Sequence, residues 1–161
     1  LIQVTHALPR PENCEVIVMR KLSTLIAIGC AALFFAHGSA IAKEDTPPSL
    51  EGTTVVSAEE VVELIGSEDN LVVVDARKNS DHQKGWIEGS HALPNTETNP
   101  ETLAKAVPDK AQPVLFYCNG AKCGRSYESA KIAIAAGYTK IYWFRGGMEE
   151  WEAKGLPVVK E

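Results

Sequence analysis

Apolar residues along the chain fall into three short unbroken runs, separated by polar segments and by segments with helical spacing. The runs occupy residues 71–74, Val114–Tyr117 and Ile141–Phe144, and they are rich in β-branched and aromatic side chains. Unbroken apolar runs of this length predict strands that are buried on both faces of a sheet. Residues 75–94 lack such a pattern and are predicted to be mostly loop.

The segments around these strands carry helix signals. Ser57 and Glu60 form a capping-box pattern before an apolar stretch that Gly66 ends. The predicted helices cover residues 57–66, 98–107, 126–137 and 148–154. Strands that alternate with helices imply an α/β domain with a mostly parallel sheet.

The composition is that of one acidic globular domain. The 161 residues are 45% hydrophobic and 23% charged, which argues against wholesale disorder. The net charge is -5 and there is no basic cluster, so no nucleic acid partner is expected. Four cysteines are too few for a disulfide scaffold, so a hydrophobic core must hold the fold.

The N-terminal part of the chain is organised like a targeting segment. Residues 1–18 have no pattern and are interpreted as an extension upstream of the true start at Met19. Residues 19–42 combine a basic start, an apolar middle and a small-x-small ending, which predicts a secretory signal peptide. Residues 43–52 then form a linker to the domain at 53–161, and we expect a periplasmic or secreted protein. The apolar stretch is short for a membrane span, so an uncleaved membrane anchor is the second interpretation.

Cleavage of the signal peptide would leave few cysteines and histidines as candidate catalytic or metal-binding residues. Cleavage after Ala42 leaves Cys118 and Cys123 as the cysteines and His82 and His91 as the histidines. Two cysteines five positions apart can form a disulfide in an oxidising compartment. Two cysteines and two distant histidines do not supply four clustered zinc ligands, so no metal is expected.

Cys118 occupies the position where a parallel sheet places its chemistry. It follows the strand Val114–Tyr117, and a loop with Gly120 and Gly124 leads from it into the next helix. Ligands of such sheets bind beyond the carboxyl ends of the strands, and a helix start exposes unpaired N–H groups. The glycines let loop amides turn inward, and Lys122 and an arginine add positive charge. These features predict a thiolate at Cys118 and a site for a small oxyanion beside it.

Five segments of the chain form a recognisable series. They are an Asp-x-Arg strand end, a Gly-Trp-Ile-x-Gly-Ser segment, the cysteine loop, an Ala-Gly-Tyr segment and a Gly-Gly-Met-Glu-Glu-Trp segment. They lie at residues 73–77, 85–94, 117–126, 136–138 and 146–151. With this series the sequence resembles the rhodanese family of sulfurtransferases over about residues 57–158. The resemblance implies a single rhodanese-like domain, with about five mostly parallel strands flanked by helices.

The resemblance also implies a reaction and the residues that perform it. In the family, a cysteine thiolate takes a sulfane sulfur from a donor such as thiosulfate, and cyanide or a thiol then removes it from the persulfide. Carried over to this chain, Cys118 is the nucleophile and Arg125 orients the loop or the anion. The substrate-binding residues are then Asn119, Gly120, Ala121, Lys122, Cys123, Gly124 and Arg125. No cofactor and no metal are implied.

Two features depart from the family pattern. Six residues separate Cys118 from Arg125, more than in the family's usual loop, so the pocket should be wider or differently folded. Cys123 lies inside this loop, where it could resolve the persulfide or form a disulfide with Cys118. Trp86 replaces a histidine that is common in the family, which should affect packing more than chemistry.

Three functions compete for this domain. The leading one is an exported sulfurtransferase, followed by a thiol–disulfide redox protein that uses Cys118 and Cys123 and by a non-catalytic binding module. The expected partners are a small sulfur-containing anion or thiol and a periplasmic redox or sulfur-carrier protein. Phosphatase or arsenate reductase chemistry is disfavoured, because the loop length does not match those relatives of the fold.

We predict that the exported protein begins at Lys43, because Ala40 and Ala42 form the small-x-small ending that a signal peptidase cleaves. N-terminal sequencing of exported material would then start with Lys-Glu-Asp. Retention of residues 22–36 in a membrane fraction would contradict cleavage and favour the anchor.

Overall fold

The computed structural model of the protein describes residues 45–160. Strands and helices alternate along this range, which is the order of an α/β domain. The strands are β1 (Thr54–Val55), β2 (Val72–Asp75), β3 (His91–Ala92), β4 (Val114–Tyr117) and β5 (Ile141–Phe144). The helices are α1 (Ala58–Ser67), α2 (Asn79–His82), α3 (Pro100–Ala106), α4 (Arg125–Ala135) and α5 (Gly147–Ala153).

These strands form one sheet in the order β1-β5-β4-β2-β3, and every neighbouring pair is parallel. At the centre of the sheet, Val74 lies beside Phe116, and Phe116 lies beside Trp143. Because all strands run in one direction, their carboxyl ends meet at one edge of the sheet. The α/β fold with a parallel, helix-flanked sheet of five strands is confirmed.

Side chains of the central strands alternate between two hydrophobic layers, as strand geometry requires. The layer that includes residues of α1 and α5 contains Val73 and Leu115. The opposite layer, which includes residues of α3 and α4, contains Val74 and Phe116. Because both faces are covered, these strands appear in the sequence as unbroken apolar runs.

Most predicted elements are present, with small shifts at their ends. β4 and β5 have the predicted bounds, and β2 is shifted by one residue from the predicted 71–74. The capping box is confirmed, since Glu60 N donates to Ser57 Oγ at 3.3 Å and Ser57 N donates to Glu60 Oε2 at 2.7 Å. The sequence pattern missed β1, β3 and α2, because elements of two to four residues are too short to show a period.

The N-terminal interpretations concern residues that the structure does not describe. Residues 1–18, the expected signal peptide at 19–42 and the first two linker residues lie outside the described range. The rest of the linker contacts the domain, since Thr46 bonds to the loop after β4 and Leu50 packs against the layer of α3 and α4. No helix within residues 45–160 is long and apolar enough to cross a membrane.

A buried ion pair fixes the chain where it leaves β2. Arg77 Nη2 donates to Asp75 Oδ2 at 2.6 Å, and the two side chains are 5% and 0% exposed. Arg77 Nη2 also donates to Gly85 O at 2.7 Å, and His82 Nδ1 lies 2.8 Å from Asp75 Oδ2. Burial alone would raise the pKa of Asp75, but the bonds from Arg77 and His82 and the guanidinium charge hold it below 3.8. The pair therefore ties the loop after β2 to the edge of the sheet.

We predict that Asp75→Asn lowers the free energy of unfolding by about 3 kcal/mol, because it leaves the buried Arg77 charge without a partner. Urea unfolding at pH 7 would measure the loss. Because the pKa of Asp75 is depressed in the folded state, its contribution exists above pH 3.8 and is lost as the pH falls further. The difference between wild type and variant should therefore shrink in acid.

Glu101→Gln is the matched control for this prediction. Glu101 pairs with Lys105 at 2.9 Å, but both side chains are more than 70% exposed. Its substitution should leave the unfolding midpoint within experimental error. Equal losses for the buried and the exposed carboxylate would contradict the role given to Asp75.

Candidate active site

β4 ends at the carboxyl edge of the sheet, and the next residue begins the Cys118 loop, residues 118–124. Cys118 has no exposed surface, and Cys123, near the far end of the loop, is 6% exposed. α4 begins at Arg125, so the loop passes directly into the first turn of a helix. Cys118 thus lies where the sequence pattern predicts, between a buried strand and a helix start.

Carbonyl groups at the start of the loop bind the first turn of α5. Met148 N donates to Cys118 O at 2.9 Å, and Glu149 N donates to Asn119 O at 2.8 Å. Gly147 permits this approach, because its φ is 56° and a Cβ atom there would collide with Cys118 O. The unpaired N–H groups of a helix start therefore hold the loop by its carbonyls.

A short segment before β1, residues 45–48, binds the loop from the other side, and we call it the linker strap. Thr46 donates to Ala121 O from both N and Oγ1, at 2.8 Å and 2.9 Å. Arg145, just after β5, donates to Thr46 O at 2.6 Å and to Pro47 O at 2.9 Å. The strap therefore joins the Cys118 loop to the end of β5.

Polar groups surround the sulfur of Cys118. The Ser126 hydroxyl donates to Cys118 Sγ at 3.2 Å. Ser126 Oγ accepts a hydrogen bond from Trp143 Nε1 at 3.0 Å. Because an indole N–H can only donate, this bond leaves the hydroxyl proton free to point at Cys118. Cys118 Sγ also lies 2.8 Å from the backbone oxygen of Cys123.

Cys123 is the sulfur atom that holds negative charge. The hydrogen bond from the Cys118 thiol is the largest of the effects that lower its pKa from 9.0 to about 5. Amides of Asn119 and Arg125 also donate to this sulfur, and Arg125 Nη1 lies 3.5 Å from it. Burial opposes the shift without outweighing these donors. Cys123 is therefore a thiolate at neutral pH.

The same contacts raise the pKa of Cys118. The hydrogen bond with Cys123 is the largest cause, burial is the next, and the charge on Cys123 adds to both. The Ser126 hydroxyl and amide oppose these effects without reversing them. In the closed, reduced loop these contacts therefore disfavour the thiolate that the sequence predicts at Cys118. The pair carries one negative charge, which lies on Cys123 because Arg125 and two amides face that sulfur.

The other loop residues predicted for the site are spread around the turn. Cys123 N donates to Gly120 O at 2.8 Å, which folds the loop back and brings the second cysteine beside the first. Gly120 packs against Glu149, and a Cβ atom at this glycine would collide with the carboxylate. Lys122 is exposed, and Gly124 lies partly buried just before α4. Of the amides predicted at residues 119–124, that of Asn119 is directed at a sulfur atom, and the amide of Arg125 joins it.

A polar cleft of about 350 Å³ lies next to the loop. Asn119 lines this cleft and donates from Nδ2 to Asp81 Oδ2 at 3.3 Å, and Lys84 and Glu149 also line it. Neither cysteine lines the cleft. A substrate in the cleft would therefore reach the sulfur atoms only after the loop moves.

The groups at this site that can take part in chemistry are sulfur atoms, a guanidinium group and backbone N–H groups. No three His, Cys, Asp or Glu side chains are grouped as a metal site among residues 45–160. The two sulfur atoms, the Arg125 guanidinium and the loop N–H groups lie together instead. Such groups suit nucleophilic attack by sulfur and the binding of a small anion.

Two side chains near the sulfur atoms were not among the predicted site residues. Ser126 contacts Cys118 directly, and Trp143 holds the Ser126 hydroxyl from β5, the strand beside β4. Ser126 had a signal, because it lies in the first helical turn after the loop and carries a hydroxyl. No sequence signal pointed to Trp143 as a site residue, because an aromatic residue in a buried strand is predicted to belong to the hydrophobic core.

Known proteins are similar to this chain in sequence. A model of the Rhodanese-like domain family matches residues 57–154. The chain is 31% identical over 107 residues to uncharacterized protein YibN of Escherichia coli (strain K12), covering 66% of this chain and 72% of that protein. It is 29% identical over 98 residues to thiosulfate sulfurtransferase GlpE of Pseudoalteromonas translucida, covering 61% of this chain and 88% of that protein.

A solved structure shares the fold. The crystal structure of a thiosulfate sulfurtransferase from Pseudomonas aeruginosa aligns with a TM-score of 0.58 and 24% sequence identity. The alignment covers 67% of this chain and 20% of that chain, so this protein spans a fifth of that enzyme's chain. Because the family match extends over more than half of the sequence and the fold agrees with it, this chain belongs to the rhodanese-like domain family.

Proposed function

We propose that the protein is a sulfurtransferase that moves a sulfane sulfur from thiosulfate, or a similar anionic donor, to a thiophilic acceptor. The observation that carries the proposal is the place of Cys118 at the end of β4, with the Ser126 hydroxyl 3.2 Å from its sulfur and Cys123 in hydrogen-bond contact. Relatives that are named sulfurtransferases, at 25% and 29% identity, support this class of reaction.

Cys118 must lose its proton before it can attack, and Cys123 is placed to accept that proton. The Cys118 thiol donates towards the Cys123 thiolate, so a short proton shift converts one ionised sulfur into the other. The Ser126 hydroxyl and amide then stabilise the charge on Cys118. Cys123 thus performs the role that a separate base performs in other nucleophilic sites.

The first displacement forms the persulfide. The Cys118 thiolate attacks the outer sulfur of thiosulfate, a new S–S bond forms, and the S–S bond of the donor breaks. The electron pair of that bond leaves with sulfite. Arg125 and Lys122, which belong to the loop and the helix start after it, supply positive charge for the thiosulfate and sulfite anions.

The second displacement returns the enzyme to its starting state. The thiolate of an acceptor, or cyanide, attacks the outer sulfur of the Cys118 persulfide and takes it. The electron pair of the persulfide bond returns to Cys118, which is again a thiolate. Neither displacement requires an external oxidant or reductant.

The donor enters only when the loop opens, since neither sulfur is more than 6% exposed. The linker strap holds the loop through Thr46 and Ala121, and its release would free Arg145 next to the opened site. Opening would therefore add a third cation near an entering anion.

We also propose that this reaction takes place outside the cytoplasm. The proposal rests on the signal-peptide pattern of residues 19–42. An exported thiol pair needs a source of reducing equivalents, so a periplasmic redox or sulfur-carrier protein is the proposed partner.

A thiol–disulfide redox function is the second candidate. The contact between Cys118 and Cys123 favours it, because two thiols in one short loop can be oxidised together. A redox protein would need both cysteines for its activity. A sulfurtransferase needs Cys118 to form the persulfide, and this difference separates the two candidates.

We predict that Cys118→Ser abolishes persulfide formation and sulfite release, because an alcohol oxygen cannot replace the thiolate. Intact-mass spectrometry after thiosulfate treatment would show no added sulfur atom. The small change in volume should leave the thermal unfolding midpoint close to that of wild type. Near-normal sulfite release by a folded Cys118→Ser protein would remove Cys118 from the mechanism.

We predict that Cys123→Ser still forms the persulfide but needs a higher pH. In wild type the pair loses its first proton near the Cys123 pKa of about 5, so the rate should be flat around neutrality. In the variant Cys118 must ionise inside a buried site, so its single-turnover rate should fall about tenfold for each pH unit below the pKa of Cys118. Stopped-flow sulfite release between pH 5 and 10, chosen to bracket ordinary thiol titration, would record both profiles. Superimposable profiles would contradict the proton-accepting role of Cys123.

A further inference from the structure

The loop contains a second sulfur nucleophile that the transfer of sulfur to an outside acceptor does not consume. Cys118 and Cys123 are both free thiols, and Cys118 Sγ lies 2.8 Å from the carbonyl oxygen of Cys123. The turn closed by the bond from Cys123 N to Gly120 O brings the two residues together. The Arg125 side chain and the amides of Asn119 and Arg125 direct positive charge at Cys123 Sγ.

We propose that Cys123 resolves the Cys118 persulfide inside the loop, so that the protein releases the sulfane sulfur as hydrosulfide and closes a Cys118–Cys123 disulfide. This inference rests on the proposed sulfurtransferase function, and it names the product of that site and the class of partner that resets it.

The atoms and electrons of this step balance without an outside oxidant. The Cys123 thiolate attacks the inner sulfur of the persulfide, Cys118 Sγ, and an S–S bond forms between the two cysteines. The bond from Cys118 Sγ to the outer sulfur breaks, and its electron pair leaves with that sulfur as hydrosulfide. The sulfane sulfur is reduced by two electrons, and the two cysteines are oxidised by two electrons to the disulfide.

Geometry favours the inside thiol over an outside acceptor while the loop is closed. Cys118 has no exposed surface and Cys123 is 6% exposed, so an external thiol must first open the loop. Cys123 lies against the sulfur that it attacks, since its backbone oxygen is 2.8 Å from Cys118 Sγ, and a reaction within one loop has a large entropic advantage over a bimolecular one.

The product determines the partner. The disulfide form holds no thiolate and cannot accept another sulfur until two electrons return. A dithiol reductant supplies them by thiol–disulfide exchange: one thiolate attacks a sulfur of the pair, and the second thiolate of the reductant resolves the mixed disulfide. Repeated turnover thus requires a dithiol protein or a small dithiol, whereas a single turnover requires none.

A single-turnover experiment without reductant tests the inference. Fully reduced protein, desalted under anaerobic conditions, is mixed with thiosulfate at the alkaline end of the pH range given above, where Cys123→Ser also reacts. Sulfite, sulfide and intact mass are measured together once sulfite release is complete. Wild type should release one sulfite and one sulfide per chain and lose the mass of two hydrogen atoms. Cys123→Ser should release sulfite alone and gain the mass of one sulfur atom. Thermal unfolding of both proteins would show that the variant is folded.

A second donor separates this inference from the proposed function. The experiment is repeated with a small alkyl persulfide, which transfers sulfur to thiolates without the enzyme's help. Sulfide and disulfide from wild type with the alkyl persulfide, a gain of one sulfur atom rather than an alkylthio group in Cys123→Ser, and no sulfide from thiosulfate would reject thiosulfate as donor and support the resolving step. Sulfite release by wild type that keeps the added sulfur, with Cys123 still open to alkylation, would overturn the resolving step and leave the proposed function standing. Absence of sulfide with both donors, although Cys123→Ser gains a sulfur atom, would likewise overturn it.

Discussion

The site depends on how the carbonyl groups of the Cys118 loop are bonded. A loop can direct its N–H groups at a sulfur atom only if its carbonyls are satisfied elsewhere, because buried backbone groups need partners. The first turn of α5 binds the carbonyls of Cys118 and Asn119, and Thr46 binds that of Ala121. The close approach of α5 requires Gly147, whose positive φ and missing side chain leave room for the loop. A helix end and a linker strap therefore create the inward-facing amides on which the sulfur chemistry depends.

One negative charge shared between two buried sulfur atoms is the main electrostatic property of the site. Two thiolates in contact would repel each other in a medium of low polarity, so the pair stays singly charged over a wide range of pH. Arg125 and the neighbouring amides decide that the charge lies on Cys123 at rest. The Ser126 hydroxyl, which Trp143 orients, can stabilise the same negative charge when it moves to the Cys118 sulfur. The site thus has two arrangements of one charge, which suits a reaction that passes a sulfur atom on.

The sequence predicts the interior of this domain better than its edges and its charges. β2, β4 and β5 are covered on both faces, and their apolar runs are visible without any structure. β1 and β3 consist of two exposed residues each, so they show no hydrophobic pattern that could predict a strand. The place of Cys118 follows from the rule that parallel strands end at a common edge. The charge on Cys123 does not follow from any rule of spacing, because it depends on distances between atoms that only the folded turn brings together.

The strand order has a consequence for how the protein is made. β1 pairs with β5, although they lie at opposite ends of the domain's sequence, and Ala58 N bonds to Glu150 Oε1 across 92 positions. A chain that emerges N-terminus first, from a ribosome or across a membrane, presents β1 and the strap long before their partners exist. The Cys118 loop is also synthesised before α5, whose amides it needs. Such long-range pairing delays folding until the last elements have emerged. The cysteine pair therefore acquires its special reactivity late, and until then both thiols are ordinary thiols of an unfolded chain.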